Sequence, residues 1–260
     1  MNVKIWYLYH SGFAVETPTH FLVFDYWRNT PKGSGLDVGV IDVAALKDKD
    51  VLVFASHQHG DHFIREILHW HKDIPKLRLI LSDDIPVVEN ALMIGPGQTL
   101  SQPDFTIKTL KSTDEGVAFV LETDGLRIYH AGDLHWWHWE GEPAEENQSM
   151  GDNYKEQVAL LGADPIDLAF VTLDPRLEEQ YAWGFDYLMR TADIRHAVPM
   201  HFGNDTSVVA RLLRDPVSEG YRDRIIGLTR RGESAEIKLT PTPPFSRQRS
   251  TPHGTRDRRS

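Results

Sequence analysis

The chain of 260 residues is 40% hydrophobic, enough for one sizeable core, and contains no cysteine, which excludes disulfides, thiolate nucleophiles and every cysteine-bearing zinc site. Its formal charge of -10 argues against a surface that tracks nucleic-acid phosphates, because such surfaces need clustered Lys and Arg. The opening MNVKIWYLYH lacks a signal-peptide pattern and no apolar run reaches the membrane-spanning length of about 18 residues, so a cytoplasmic protein with no membrane partner is expected.

Residues 3–9, 13–17 and 21–25 read as three short strands parted by the turn signals Ser11-Gly12 and Pro18-Thr19, an antiparallel meander. A polar, Gly-rich loop over residues 29–39 follows, and residues 51–55 form an apolar run of buried-strand length. Ile64, Ile67, Leu68 and Trp70 recur at helical spacing and predict a helix closed by Pro75. Residues 77–81 read as a strand and residues 86–93 as a short helix ended by Gly95-Pro96-Gly97. Strands follow at 105–110, 117–122 and 126–130, the last two joined by the Asp124-Gly125 hairpin turn. Helices over about residues 153–161, 179–191 and 207–213 alternate with strands at 168–173 and 196–200. Two groups of strands with interleaved helices predict an α/β (α+β) domain over residues 1–240, two sheets face to face with helices on both outer sides. Residues 241–260, rich in Pro, Ser, Thr and Arg, are expected to be disordered.

The chemistry concentrates at strand ends. Ser56-His57-Gln58-His59-Gly60-Asp61-His62 sets three imidazoles and a carboxylate directly after a buried strand, a donor set suited to zinc and related cations. Gly132-Asp133 follows another strand, where glycine permits close backbone approach and a carboxylate can bridge two cations. His201 ends a third apolar strand. The first piece reads as a ligand loop on its own, whereas Gly132-Asp133 alone reads as a turn and His201 alone as a structural residue; three strand ends carrying ligand-type residues read as one gathered site. His135-Trp136-Trp137-His138-Trp139-Glu140-Gly141-Glu142 adjoins Asp133 and reads either as a pocket wall of flat apolar faces with a few polar tips, with His135 as a proton donor, or as ordinary core or subunit contact. Asp174-Pro175-Arg176 ends another strand, and the Arg176 fork could hold a carboxylate or phosphate.

In order and spacing, the H-x-H-x-D-H, Gly-Asp and His elements resemble the metallo-β-lactamase superfamily, over about residues 1–239. The openings Tyr9-His10-Ser11-Gly12 and Phe24-Asp25-Tyr26-Trp27 are similar to its branch containing the ascorbate-phosphate lactonases and other metal-dependent hydrolases. The resemblance implies a four-layer αββα sandwich in which His57 and His59 hold a first metal, Asp61, His62 and His201 a second, and Asp133 bridges them, with His10 close by. The family normally supplies a further first-site histidine, yet no histidine lies between His71 and His130. Either Asp114 replaces it with a carboxylate, which favours harder metals such as manganese or iron, or the first site is weak and the centre mononuclear.

A bound cation lowers the pKa of water towards about 7 and polarises the substrate oxygen. The expected function is therefore hydrolysis of a small ester, lactone or phosphoester with one or two ions, zinc first. Asp61 or Asp133 would take the proton, His135 or His10 would serve the leaving group, and Arg176, Trp136 and Trp137 would bind substrate. A redox iron protein and a non-catalytic metal-binding protein are the alternatives, and a homo-oligomer is compatible with the length.

Overall fold

The computed structural model describes residues 1–240, so the tail at residues 241–260 lies outside the described residues. The first three strands, β1 (Asn2–Tyr9), β2 (Gly12–Glu16) and β3 (Phe21–Phe24), form the expected antiparallel meander, with Phe13 opposite Phe24. β4 (Val51–Ala55) then joins β3 in parallel, followed by β5 (Leu77–Ser82) and β6 (Leu92–Ile94). The second sheet holds β7 (Thr99–Ser101), β8 (Phe105–Lys111), β9 (Val117–Thr123), β10 (Leu126–His130), β11 (Leu168–Thr172) and β12 (Ala197–Met200). β13 (Ser234–Lys238) returns to pair with β1, so the sheets run β13-β1-β2-β3-β4-β5-β6 and β12-β11-β10-β9-β8-β7. No described helix is long and apolar enough to cross a membrane.

Three α-helices, α1 (Ala144–Ala159), α2 (Trp183–Thr191) and α3 (Ser207–Arg214), bring Tyr154, Phe185, Leu188 and Val208 to the main core. The outer face of the first sheet is covered differently from the expected α-helix. Its cover is a 3-10 helix, Arg65–Lys72, whose Ile67 and Trp70 point inward three residues apart, the repeat of that helix type, and pack with Tyr26 and Leu81 in a second core. The helix expected over residues 86–93 is absent. Asn90 takes a left-handed φ of 65° there, and Leu92–Ile94 pairs with β5 instead. α1 begins well before the expected residue 153, because its buried side includes Asn147 and Gly151, which carry no apolar signal. β7 and β13 were not expected: both are short and half polar, and β13 alternates exposed with half-buried residues at a sheet edge.

Phe170 in β11 sits where the two sheets meet, its ring 4.4 Å from Phe13, 5.8 Å from Phe24 and 5.8 Å from His130. At the pole away from the strand ends discussed below, Arg78 bonds Asp50 at 2.5 Å and Asp104 at 2.7 Å, while His20 bonds Asp104 at 2.8 Å. That network ties β5 of the first sheet to the start of β8 in the second. Phe170→Ala, which leaves a void between the sheets, is expected to lower the unfolding free energy by about 3–5 kcal/mol in urea titrations.

Candidate metal centre

β10, β11 and β12 run parallel, so their carboxyl ends deliver Asp133, Asp174 and His201 to one edge of the second sheet. β3 and β4 are likewise parallel and deliver Asp25 and the loop from Ser56 to His62 from the first sheet. His10 enters from the β1–β2 turn, where its carbonyl accepts the His201 N–H at 3.2 Å. His10, Asp25 and His201 all hold positive φ values, of 59°, 44° and 69°. Strained backbone of this kind persists where surrounding bonds over-determine it, and here it clusters around one centre.

Two compact sets of ligand atoms result, His57 with His59 and Asp133, and His62 with His201 and His10, the atoms of each set lying within 4.8 Å of one another. Asp133 joins the two sets. Its Oδ1 lies 3.2 Å from His62 Nε2 and 3.3 Å from His201 Nε2, and its Oδ2 lies 3.5 Å from His57 Nε2. Two ligands about 2.0–2.1 Å from one tetrahedral cation stand about 3.3 Å apart, so these spacings are those of atoms sharing an ion. Sealed from solvent, His57 Nε2, His62 Nε2 and Asp133 Oδ1 have no hydrogen-bond partner. Each such orphan costs about 1–3 kcal/mol, a cost that a bound cation removes, and the sulfur-free donor set fits zinc, manganese or iron. A third acidic set, His20 with Asp50 and Asp104, is already neutralised by the Arg78 guanidinium.

Behind the ligands stand carboxylates. Asp25 is wholly buried and accepts from Ser56 N at 2.8 Å, Ser56 Oγ at 2.7 Å and His62 Nδ1 at 2.7 Å. Burial alone would raise its pKa, but His130, His62 and His57 around it together lower it. Asp174 bonds His201 Nδ1 at 3.0 Å and takes the Arg176 fork through both oxygens. Asp133 is also held below the usual carboxylate range against its burial, by His62, His201 and His57. His201 is pushed up to about 9: burial opposes the charge, and the neighbouring carboxylates of Asp133 and Asp174 outweigh it.

A cleft of about 270 Å³ opens over this centre, walled by His59, Asp61, Asp114, Trp137, Trp139, Met150 and Arg176 among others. Trp137 and Trp139 stack with rings 1° from parallel, and the Arg176 guanidinium lies 5.5 Å from the Trp139 ring. Trp139 belongs to the tryptophan-rich run read as a pocket wall, whereas Met150 was not expected here and only the fold of α1 brings it back. Asp25 and Asp174 were likewise missed as supports, although each ends a strand as the ligands do.

Several expected residues are placed differently. Asp114 is exposed on the cleft wall and belongs to neither compact ligand set; its backbone N–H bonds Ser112 Oγ at 3.1 Å, which turns the loop outward. Gly116 follows at φ 68°, and a Cβ there would come within 2.0 Å of Ser56 O, so the loop lies flat against the ligand segment without inserting a side chain. His135, expected as a proton donor, is wholly buried away from the cleft between Trp137 and Tyr154, and burial pushes its pKa down to about 3, so it is neutral at pH 7. Trp136 turns to Trp183, Tyr187 and Lys155 on the helices and does not line the cleft. Asp61 lines the cleft, half exposed, with Oδ2 3.5 Å from His10 Nε2. His10, expected close to the metals and beside the substrate, sits with His62 and His201.

Residues 4–145 match the family described as Beta-lactamase superfamily domain. A metal-dependent hydrolase of Korarchaeum cryptofilum (strain OPF8) is 26% identical over 245 residues, covering 90% of this chain and 95% of its own length. Among solved structures, a novel metallo hydrolase from the hyperthermophilic archaeon Ignicoccus hospitalis KIN4/I superposes with a TM-score of 0.60 at 19% identity, over 92% of this chain and 100% of that one. The diiron β-hydroxylase CmlA of Streptomyces venezuelae superposes with a TM-score of 0.57 at 12% identity, over 92% of this chain and 54% of that one. At such identities the structural likenesses show a shared fold.

Two outcomes follow from the supporting carboxylates. Asp25→Asn should weaken zinc binding about 10- to 100-fold in chelator competition, with the fold retained by circular dichroism. Because a proton and a metal compete for His201 Nε2, zinc affinity of the metal-free protein should rise with pH, about tenfold per unit for the one proton displaced, until it levels near the His201 value of about 9.

Proposed function

We propose that this chain, which belongs to the metallo-β-lactamase superfamily, is a metal-dependent hydrolase of a small anionic ester, lactone or phosphoester, with zinc as its metal. The observation that carries this reading is the set of orphaned imidazole and carboxylate atoms at the floor of a cleft walled by Trp137, Trp139 and Arg176. His57, His59 and Asp133 would hold one ion, and His62, His201 and Asp61 a second, with Asp133 between them. When bound, such ions polarise a substrate carbonyl or phosphoryl oxygen and make water a nucleophile at neutral pH.

The remaining roles belong to the chain's own groups. Both oxygens of Asp133 face imidazoles, and of the cleft's other two carboxylates, Asp61 and Asp114, Asp61 stands in the ligand loop itself, able to orient water and accept its proton. Arg176 stands at the wall with its side chain 62% exposed, so its free N–H groups can meet an anionic group while Asp174 fixes its direction. The parallel indoles of Trp137 and Trp139 offer a flat apolar face to the rest of the substrate and keep water from it. A cleft of about 270 Å³ admits a compact molecule, and the charge of -10 disfavours polyanions such as nucleic acid, which supports a small-molecule substrate. The likeness to a diiron hydroxylase is one of fold and gives no reason to prefer redox chemistry.

The test is a panel of esters, lactones and phosphoesters offered to zinc-loaded protein, each anionic compound paired with a neutral analogue. Arg176→Ala should raise KM for the anionic member of an active pair about 10- to 100-fold, the worth of a lost charge-assisted bond, and leave the neutral one near wild type. No turnover anywhere in the panel by zinc-loaded enzyme would remove the hydrolase reading.

A further inference from the structure

Of the five imidazoles at the centre, His59 stands exposed and the other four are not equivalent, the difference lying in the nitrogen turned away from the centre. A neutral imidazole has one N–H and one lone pair, so the partner of one nitrogen decides what the other can do. His62 Nδ1 faces the Asp25 carboxylate at 2.7 Å and His201 Nδ1 faces the Asp174 carboxylate at 3.0 Å, partners that can only accept. His57 Nδ1 faces Ser56 Oγ at 3.0 Å, and that hydroxyl gives its own hydrogen to Asp25 at 2.7 Å, so it too accepts. In their neutral form, the form a cation beside Asp133 would bind, all three rings therefore carry their proton on Nδ1 and turn an Nε2 lone pair inward.

His10 is the reverse. Its Nδ1 receives the backbone N–H of Gly203 at 3.2 Å, so that nitrogen is the acceptor and the proton sits on Nε2. The ring has no freedom to change this arrangement. The His10 N–H donates to Tyr7 Oη at 2.8 Å, the His10 carbonyl accepts from His201 N, and Gly203 lies two residues past His201 on the same turn. Its Nε2 is sealed from solvent and unpartnered, with Asp61 Oδ2 at 3.5 Å. Proximity groups His10 with the ligands, and tautomer separates it from them.

We infer that His10 is a positioning residue and not a metal ligand: fixed with its proton on Nε2 by the Gly203 N–H, it points that N–H at the Asp61 carboxylate 3.5 Å away and holds the carboxylate against the centre. Asp61 projects from an exposed turn and belongs to neither compact ligand set, so it lacks the buried support that Asp25 gives His62 and Asp174 gives His201. His10 supplies that support from the β1–β2 turn of the same sheet. The arrangement is the counterpart of a ligating histidine backed by a carboxylate, with the roles exchanged: here a histidine backs a ligating carboxylate. The inference rests on the metal-centre reading for its purpose, though the tautomer itself does not.

The experiment is long-range proton–nitrogen correlation NMR of the full chain with 15N-labelled histidine, metal-free and after addition of zinc chloride, with His10→Gln used to assign the His10 signals. The expected result is an Nε2-protonated His10 in both states, while His57, His62 and His201 are Nδ1-protonated in the zinc form with metal-shifted Nε2 signals. Zinc stoichiometry should be kept in His10→Gln and reduced in His201→Gln. A His10 ring protonated on Nδ1, or one whose Nε2 takes the metal shift of the other three, overturns the assignment. Zinc that moves none of the four rings would instead remove the metal centre, and the metal-free spectrum would still decide the His10 tautomer.

Discussion

The site depends on one buried carboxylate. Asp25 has no solvent to stabilise its charge, and it is kept ionised by the Ser56 N–H, the Ser56 hydroxyl and His62, all within 2.8 Å. Those bonds fix the start of the ligand loop, the His62 tautomer and, through Ser56 Oγ, the His57 tautomer. A single charge placed at the end of β3 therefore turns two imidazoles of the neighbouring strand end into inward lone pairs. Its backbone sits at φ 44°, a conformation that costs about 1–3 kcal/mol in a non-glycine residue, and the network around it offsets that cost.

The same logic recurs around the centre. Asp174 does for His201 what Asp25 does for His62, and it also holds the Arg176 fork, so the substrate wall and a metal ligand share one support. Asp133 stands between both ligand sets with its oxygens toward three imidazoles. Without a cation the centre relies on a raised His201 pKa to balance this charge, which is how a metal-free pocket of carboxylates survives in a low-dielectric interior.

Much of this was legible in the sequence, for identifiable reasons. The strands that deliver His57, Asp133 and His201 are short apolar runs ended by polar residues, a pattern that needs no tertiary information to read. The H-x-H-x-D-H spacing and the Gly-Asp pair likewise carry the family resemblance on their own. The outcome diverges where side-chain direction matters more than position. His135 and Trp137 are two residues apart, yet one is packed behind the centre and the other walls the cleft, and nothing in the spacing distinguishes them. Asp114 stands outside the compact ligand sets, on a loop whose Gly116 lies against Ser56, a contact between segments far apart in the chain. The 3-10 cover over the first sheet was hidden because Ile67 and Trp70 satisfy a three-residue repeat as well as a helical one.

The central claim is that Asp133 and the inward imidazoles form one shared metal centre. The most direct test is elemental mass spectrometry of zinc-reconstituted protein, freed of excess metal, for wild type beside Asp133→Ala. Two equivalents per chain in wild type, falling to one or fewer in the variant, is the predicted result, because the bridging carboxylate serves both ions. Wild type without stoichiometric metal, or a variant that keeps the full wild-type content, would contradict the account.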